Sequence, residues 1–120
     1  MFYAEKNNGS FFNNQRVRVS NKKNIDECLF ASKEKNENMT NSTIRNLGSA
    51  ALDMAYVGSG RFDGFFQKNL EIWDIAAGVI IVQEAGGIIN DIDLLSKSKI
   101  NIIAASNAIY GNIIRKLNNF

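Results

Sequence analysis

Trp73-Asp74-Ile75-Ala76-Ala77-Gly78-Val79-Ile80-Ile81-Val82-Gln83-Glu84-Ala85-Gly86-Gly87 is the stretch on which the reading of this chain turns. An unbroken apolar run closed by two glycines predicts a helix. Asp74 stands directly before that run, the position of an N-cap, where its side chain would accept from first-turn amides and contribute about 1 kcal/mol. Ala76, Ala77 and Gly78 strip bulk from one side. Val79 to Val82 leave little polar face before Gln83, so the expectation is a helix buried on most sides with a deep N-terminus. A carboxylate held that deep needs pairing or a metal ion. Capping and metal ligation therefore both stand as roles for Asp74, with Trp73 walling one side of the site.

Upstream, Gly48 to Gly58 carries a second helical pattern. Ala51, Leu52, Ala55 and Tyr56 recur at helical spacing, Ser49 sits where a cap belongs, and Gly58-Ser59-Gly60 ends the run. Small residues at a helix N-terminus also let an anion approach backbone N–H groups, so capping and anion binding are both open for this segment. Arg61 to Phe66 alternates into a strand, with Gln67-Lys68-Asn69 read as the turn that follows.

The chain begins with an apolar-aromatic run, Met1 to Ala4, a turn at Asn7 to Ser10 and a strand restarting at Phe11. A second turn at Asn13-Asn14 leads to the alternating Arg16-Val17-Arg18-Val19. Ile25 to Ser32 reads as a strand, Lys33 to Ser42 as a polar connector, and Thr43 to Leu47 as a short strand. Beyond the opening stretch, strands are expected at Ile88 to Ile92 and Ile100 to Ala105, separated by a polar loop at Asp93 to Ser98. Ser106-Asn107 is expected to cap a last helix over Ala108 to Leu117. Strands and helices interleaved in this way predict a mixed α/β fold.

Composition narrows the chemistry. The 120 residues carry 14 basic and 12 acidic side chains for a net charge of +2, with no basic stripe for nucleic acid. No apolar run is long enough for a membrane span, and no secretory signal opens the chain. The one cysteine, Cys28, cannot pair internally; a buried structural thiol in a reducing cytoplasm is the expectation. There is no histidine, which removes the commonest general base and transition-metal ligand. Chemistry here falls to carboxylates, hydroxyls, amides and backbone groups, and a bound metal would be a hard one such as Mg²⁺.

The opening stretch closely resembles the C-terminal signature of the inositol monophosphatase family of Mg²⁺-dependent, lithium-sensitive phosphatases. Ile44-Arg45-Asn46-Leu47-Gly48-Ser49-Ala50-Ala51 resembles the family's R-x-x-G-S/T-A-A segment, and residues 2–20 its mid-chain hairpin. The resemblance implies the C-terminal part of a layered αβαβα sandwich, one partial domain over residues 1–120. Residues 1–32 would supply a hairpin and a strand of the central sheet, and residues 43–120 the C-terminal α/β part. It implies that Asp74 ligates Mg²⁺ and that Gly48, Ser49 and Ala50 contact the substrate alcohol. Gln67 stands where the family often has a glutamate touching a substrate hydroxyl; the amide keeps the hydrogen bond but not the charge.

The family's G-E-E and D-P-I/L-D-G-T motifs, which bring the other metal carboxylates and the water-activating pair, do not occur here. No catalytic residue is thus assigned in this chain, which is expected to be inactive alone. In its full-length form the protein would hydrolyse a small phosphomonoester such as inositol 1-phosphate, as a cytoplasmic homodimer. The alternatives are a non-catalytic remnant, a module that pairs with another chain, or a related bisphosphate nucleotidase or fructose-1,6-bisphosphatase.

Overall fold

The computed structural model describes residues 1–34, 36–39, 42–93, 95, 97–118 and 120, with the side chain of Glu37 left out. Three strands, β1 (Phe2–Glu5), β2 (Gly9–Phe12) and β3 (Gln15–Val17), form an antiparallel sheet in sequence order. Its tight turns use Asn7, Asn13 and Asn14 at positive φ, the residue type after glycine that best tolerates that region. The expected strand at Ile25 to Ser32 begins later. A 3-10 turn over Ile25–Glu27, capped by the Asn24 side chain, precedes β4 (Leu29–Ala31). The strands of the N-terminal meander and β4, grouped together by the sequence reading, lie in different sheets.

The second sheet has five strands, ordered β5-β4-β6-β8-β7, built from β4, β5 (Thr43–Arg45), β6 (Gly64–Leu70), β7 (Gly87–Ile89) and β8 (Ile100–Ser106). The strands β5, β4 and β6 run parallel, and β8 is antiparallel to both β6 and β7. Side chains alternate across this sheet as strand geometry requires. Ala31, Phe65, Ile102 and Ala104 enter one core with Met54, Val57, Ile75, Val79 and Val82. Phe30, Phe66, Ile103 and Ala105 enter another with Ile109, Ile113 and Leu117. Helices α1 (Ala50–Gly58) and α2 (Ile72–Glu84) cover the first face and α3 (Tyr110–Leu117) the second.

The three-stranded sheet packs on the helix pair. Ser10 Oγ donates to the Ile81 carbonyl at 2.6 Å, Gly9 N–H donates to Glu84, and Phe2 meets Tyr56 at 5.9 Å between ring centres. The succession is sheet, helix pair, sheet, helix: four of the five layers expected. The two central helices approach closely because Gly78 lacks a side chain. A Cβ there would lie 2.9 Å from the Met54 Cβ, inside van der Waals contact.

Several boundaries differ from expectation. Asp74 is not the N-cap of α2: the strand β6 leaves extended backbone through Glu71, which is the cap residue and makes no side-chain cap bond, so the helix begins at Ile72. Nor is α2 buried on most sides. Ile75, Gly78, Val79, Ile81 and Val82 form one buried stripe, while Trp73, Asp74, Ala76, Ala77 and Ile80 are exposed. Its N-terminus is therefore shallow, and Trp73 is 74% exposed.

Gln67-Lys68-Asn69 is not a turn either. Tertiary pairing with β8 extends β6 to Leu70, with a register shift between Gln67 and Leu70 and Asn69 at φ 60°. In the polar connector, a 3-10 turn at Glu37–Met39 buries Met39 in the core beneath α3; residues 35, 40 and 41 lie outside the described set, as do 94 and 96 in the later loop. The last helix starts at Tyr110 with Ile109 as its cap, not at Ala108 after a Ser106-Asn107 cap, because β8 runs on to Ser106. Cys28 is buried, as expected, and burial pushes its thiol pKa up to about 11.

Candidate functional site

The N-termini of α1 and α2 and the C-terminal part of β6 meet around one cavity of about 430 Å³. Gly48, Ser49, Ala50, Gln67 and Asp74, the residues singled out from sequence, all line it, together with Lys33, Ala51, Leu70 and Trp73.

The α1 side is shaped by backbone conformation. Gly48 has φ +84° with nothing within 4 Å of where a Cβ would sit, so its conformation and not its space demands glycine. Its N–H donates to Asn46 Oδ1 at 2.8 Å, closing a turn that delivers Ser49 to the helix start. Ser49 is the N-cap: its Oγ accepts from Leu52 N–H at 3.2 Å and its carbonyl from Asp53 N–H at 2.9 Å. Those bonds occupy the third and fourth amides of the helix, leaving Ala50 and Ala51 N–H as the first-turn donors without an intrahelical acceptor.

Asp53 braces this turn from beneath. It is 1% exposed, and Oδ1 accepts from Leu47 N–H at 3.3 Å, while Oδ2 has no hydrogen-bond partner. Burial raises its pKa, opposed by the Leu47 N–H and by the Lys33 charge.

The β6 wall presents Gln67, 8% exposed, whose Oε1 also has no hydrogen-bond partner. A buried carbonyl oxygen without a donor costs roughly 1–3 kcal/mol, and one that lines a cavity is open to a ligand's O–H or N–H. Asp74 is the third residue of α2 and solvent-exposed on the cavity wall. Its place in the first turn of a helix suits a negative charge.

Among the described residues, no group of three or more His, Cys, Asp or Glu side chains is placed to hold a metal ion. Asp74 fits as one oxygen ligand of a hard cation, but Mg²⁺ favours near-octahedral oxygen coordination, so the described residues do not make a whole site. Accordingly no hydrolytic step follows from these side chains by themselves.

Lys33 was not anticipated as a site residue, because it opens a connector that reads as solvated. It follows closely on β4, whose pairing with β6 is Phe30 with Gly64 and Ala31 with Phe65, and Ser32 Oγ donates to the Phe66 carbonyl beyond the strand end. Lys33 itself is exposed and lines the cavity. Gln67 shares the parity of Phe65, so it falls on the α1–α2 face of the sheet.

No helix among the described residues is long and apolar enough to cross a membrane. The sequence model of the inositol monophosphatase family matches residues 1–119. A Thermotoga maritima protein named fructose-1,6-bisphosphatase/inositol-1-monophosphatase is 42% identical, over 97% of this chain and 50% of its own length. An inositol-1-monophosphatase of Mesorhizobium japonicum is 38% identical over 78% of this chain and 41% of its own. Among solved structures, the extragenic suppressor protein suhB of Bartonella henselae superposes with a TM-score of 0.87 at 38% identity. That match covers 98% of this chain and 52% of that one. The chain thus spans about half the length of the curated relatives it matches. Sequence match and superposed fold agree, and the chain belongs to the inositol monophosphatase family.

Proposed function

We propose that this chain forms the alcohol-binding side of a pocket that hydrolyses a small phosphomonoester such as inositol 1-phosphate, with Mg²⁺ as the metal. The supporting observation is the convergence of Gly48, Ser49, Ala50, Gln67 and Asp74 on one cavity between two helix N-termini. Helix N-termini favour anions, which suits a phosphate ester. In this reading Asp74 is one carboxylate ligand and the remaining acidic ligands come from outside these 120 residues. Bound Mg²⁺ would neutralise the phosphoryl oxygens and activate water. This chain's own residues orient the alcohol: Gln67 Oε1 accepts a hydroxyl, and the first-turn amides of α1 face the ester. A reducing cytoplasm suits the lone buried thiol. Exposed Trp73, Ile80, Leu47 and Leu52 suit a chain that associates, as a homodimer or with the polypeptide that completes the site.

The test is complementation. The chain alone should release no phosphate from inositol 1-phosphate in Mg²⁺. Mixed with a polypeptide spanning the half of the Thermotoga maritima relative that this chain does not match, it should do so. The Asp74→Asn variant should lose that activity by about 100-fold or more. A folded, bound pair without activity, or activity indifferent to Asp74→Asn, would sink the reading.

A further inference from the structure

We infer that Asn101, outside the cavity on the strand paired with its wall, is a positioning residue for ligand binding. Its side chain holds a bulge in β6 that brings Gln67 into the same cavity as Asp74. The inference rests on the phosphomonoester reading above and adds a residue that does not itself line the cavity. Side chains alternate along a regular strand. In β6, Phe65 enters the core beneath α1 and α2, Phe66 enters the core beneath α3, and Gln67 lines the cavity. Lys68 returns to the α3 side, where its Nζ lies 5.2 Å from the centre of the Phe120 ring, which Phe66 meets edge-on. Alternation would send Leu70 the same way as Lys68. Leu70 instead joins the α1–α2 core and lines the cavity with Gln67.

Register accounts for the exception. Gln67 pairs with Ile102 and Leu70 with Ile100, so Lys68 and Asn69 together stand opposite Asn101 alone. Two residues against one make a β-bulge. Ile100 and Ile102 both belong to the α1–α2 core, and through the bulge their partners Leu70 and Gln67 share that face. The extra residue is absorbed at Asn69, whose φ of 60° lies in the left-handed region that asparagine tolerates. Its N–H donates to Asn101 Oδ1 at 3.1 Å. Asn101 is held in turn: Nδ2 donates to the Phe120 carbonyl at 3.4 Å, and its own carbonyl accepts from Asn90 Nδ2 at 2.9 Å. Leu70 and the buried stripe of α2 anchor the chain that leads to Asp74. With that anchor fixed, a regular ladder would turn Gln67 to the α3 face, because a one-residue slip exchanges the faces of a strand.

The probe is inositol 1-phosphate in Mg²⁺ buffer, titrated into the isotope-labelled chain. Nuclear Overhauser contacts of Gln67 with Ile102, and of Leu70 with Ile100, report the register. Asn69 and Asn101 are exposed, so substitution at either buries no new group. Asn101→Leu removes the acceptor, and Asn69→Val opposes the positive φ. Both should lose the Gln67–Ile102 contacts and bind about tenfold more weakly, the worth of one hydrogen bond. Asn101→Asp keeps an acceptor for the Asn69 N–H while giving up the Nδ2 bond, and Asn69→Gly keeps the left-handed backbone. Both should retain the register and stay within about twofold of the parent's affinity. A residue that only stabilised the sheet would lower the melting temperature and leave affinity alone. The inference is overturned if folded Asn101→Leu keeps either the register or the parent's affinity, or if Asn101→Asp fares no better than Asn101→Leu. A parent chain that does not bind inositol 1-phosphate overturns the phosphomonoester reading; the register comparison between the two Asn101 variants then decides the inference by itself.

Discussion

Asp53 shows how a single buried side chain sets the shape of the pocket at a cost. Its engaged oxygen ties down Leu47, and so fixes the turn through Gly48 to Ser49. Its other oxygen is buried without a partner, and burial raises the pKa above the ordinary 3.8. The native state therefore holds the Asp53 proton more tightly than the unfolded chain does. Asp53 contributes most favourably below pH 3.8, and that contribution is lost as pH rises through the folded value. Asparagine keeps the acceptor for Leu47 and removes the ionisation. The melting temperature of Asp53→Asn relative to the parent should thus rise between about pH 4 and about pH 7. Parallel melting profiles over that range would show that the charge is not what costs. At this scale the sequence was informative where a role is local: Ser49 caps α1 as its position before a small-residue helix required. It was silent on Asp53, since an acid in the first turn of an amphipathic helix reads as solvated.

At the scale of elements, the glutamate of the opening stretch joins two parts of the fold. Glu84 accepts from Gly9 N–H at 3.0 Å, and the Gly9, Asn7 and Asn8 amides hold its carboxyl below the usual range. The β1–β2 turn, wound by Asn7 and Gly9 at positive φ, thus presents its N–H groups to the end of α2. Chain exit from α2 adds a second tie, Val19 N–H to the Ala85 carbonyl at 3.0 Å. Because the folded pKa lies below 4.5, this clamp is complete above pH 4.5 and is lost as pH falls through the depressed value. Glu84→Gln should speed hydrogen exchange at Asn7, Asn8 and Gly9 while leaving the α2 and β8 amides as they were. Lowering the pH should bring the parent's turn to the variant's protection. Unchanged protection at Gly9 in the variant would mean that the turn holds itself.

At the scale of the whole molecule, two cores share one sheet. Phe65 and Phe66, adjacent in β6 and both fully buried, point to opposite faces. Either one replaced by alanine should cost about 3–5 kcal/mol, a large share of the 5–15 kcal/mol typical of a domain. Because each core is anchored on β6 and β8, both variants should shift a single urea transition seen alike in circular dichroism and in the exchange of α2 and α3 amides. Loss of α3 alone in Phe66→Ala, with α1 and α2 intact, would show instead that the faces unfold separately. The outer side of the helix pair is only partly covered. The three-stranded sheet lies over part of it, and Trp73, Ala76, Ala77 and Ile80 remain exposed.

What the sequence determined by itself was whatever depends on near neighbours: the helical run stopped ahead of Gly86, the Ser49 cap, the Asn-rich turns and the apolar strand β8. The family signature was legible for the same reason, because its residues serve one helix and its flanking glycines. What only the tertiary structure decided depends on pairing across the sheet. Strand β6 was lengthened through Gln67 by its pairing with β8, turning an expected turn residue into a cavity wall. Asp74 stands not at a deep cap but at the exposed third position of α2, because the extended backbone ends at Glu71 and the helix already begins at Ile72. Lys33, exposed in a polar connector, lines the cavity because β4, which it follows, ends alongside β6. Periodicity along a chain reports which face of an element is apolar; which elements lie beside that face is set by contacts between residues far apart in sequence.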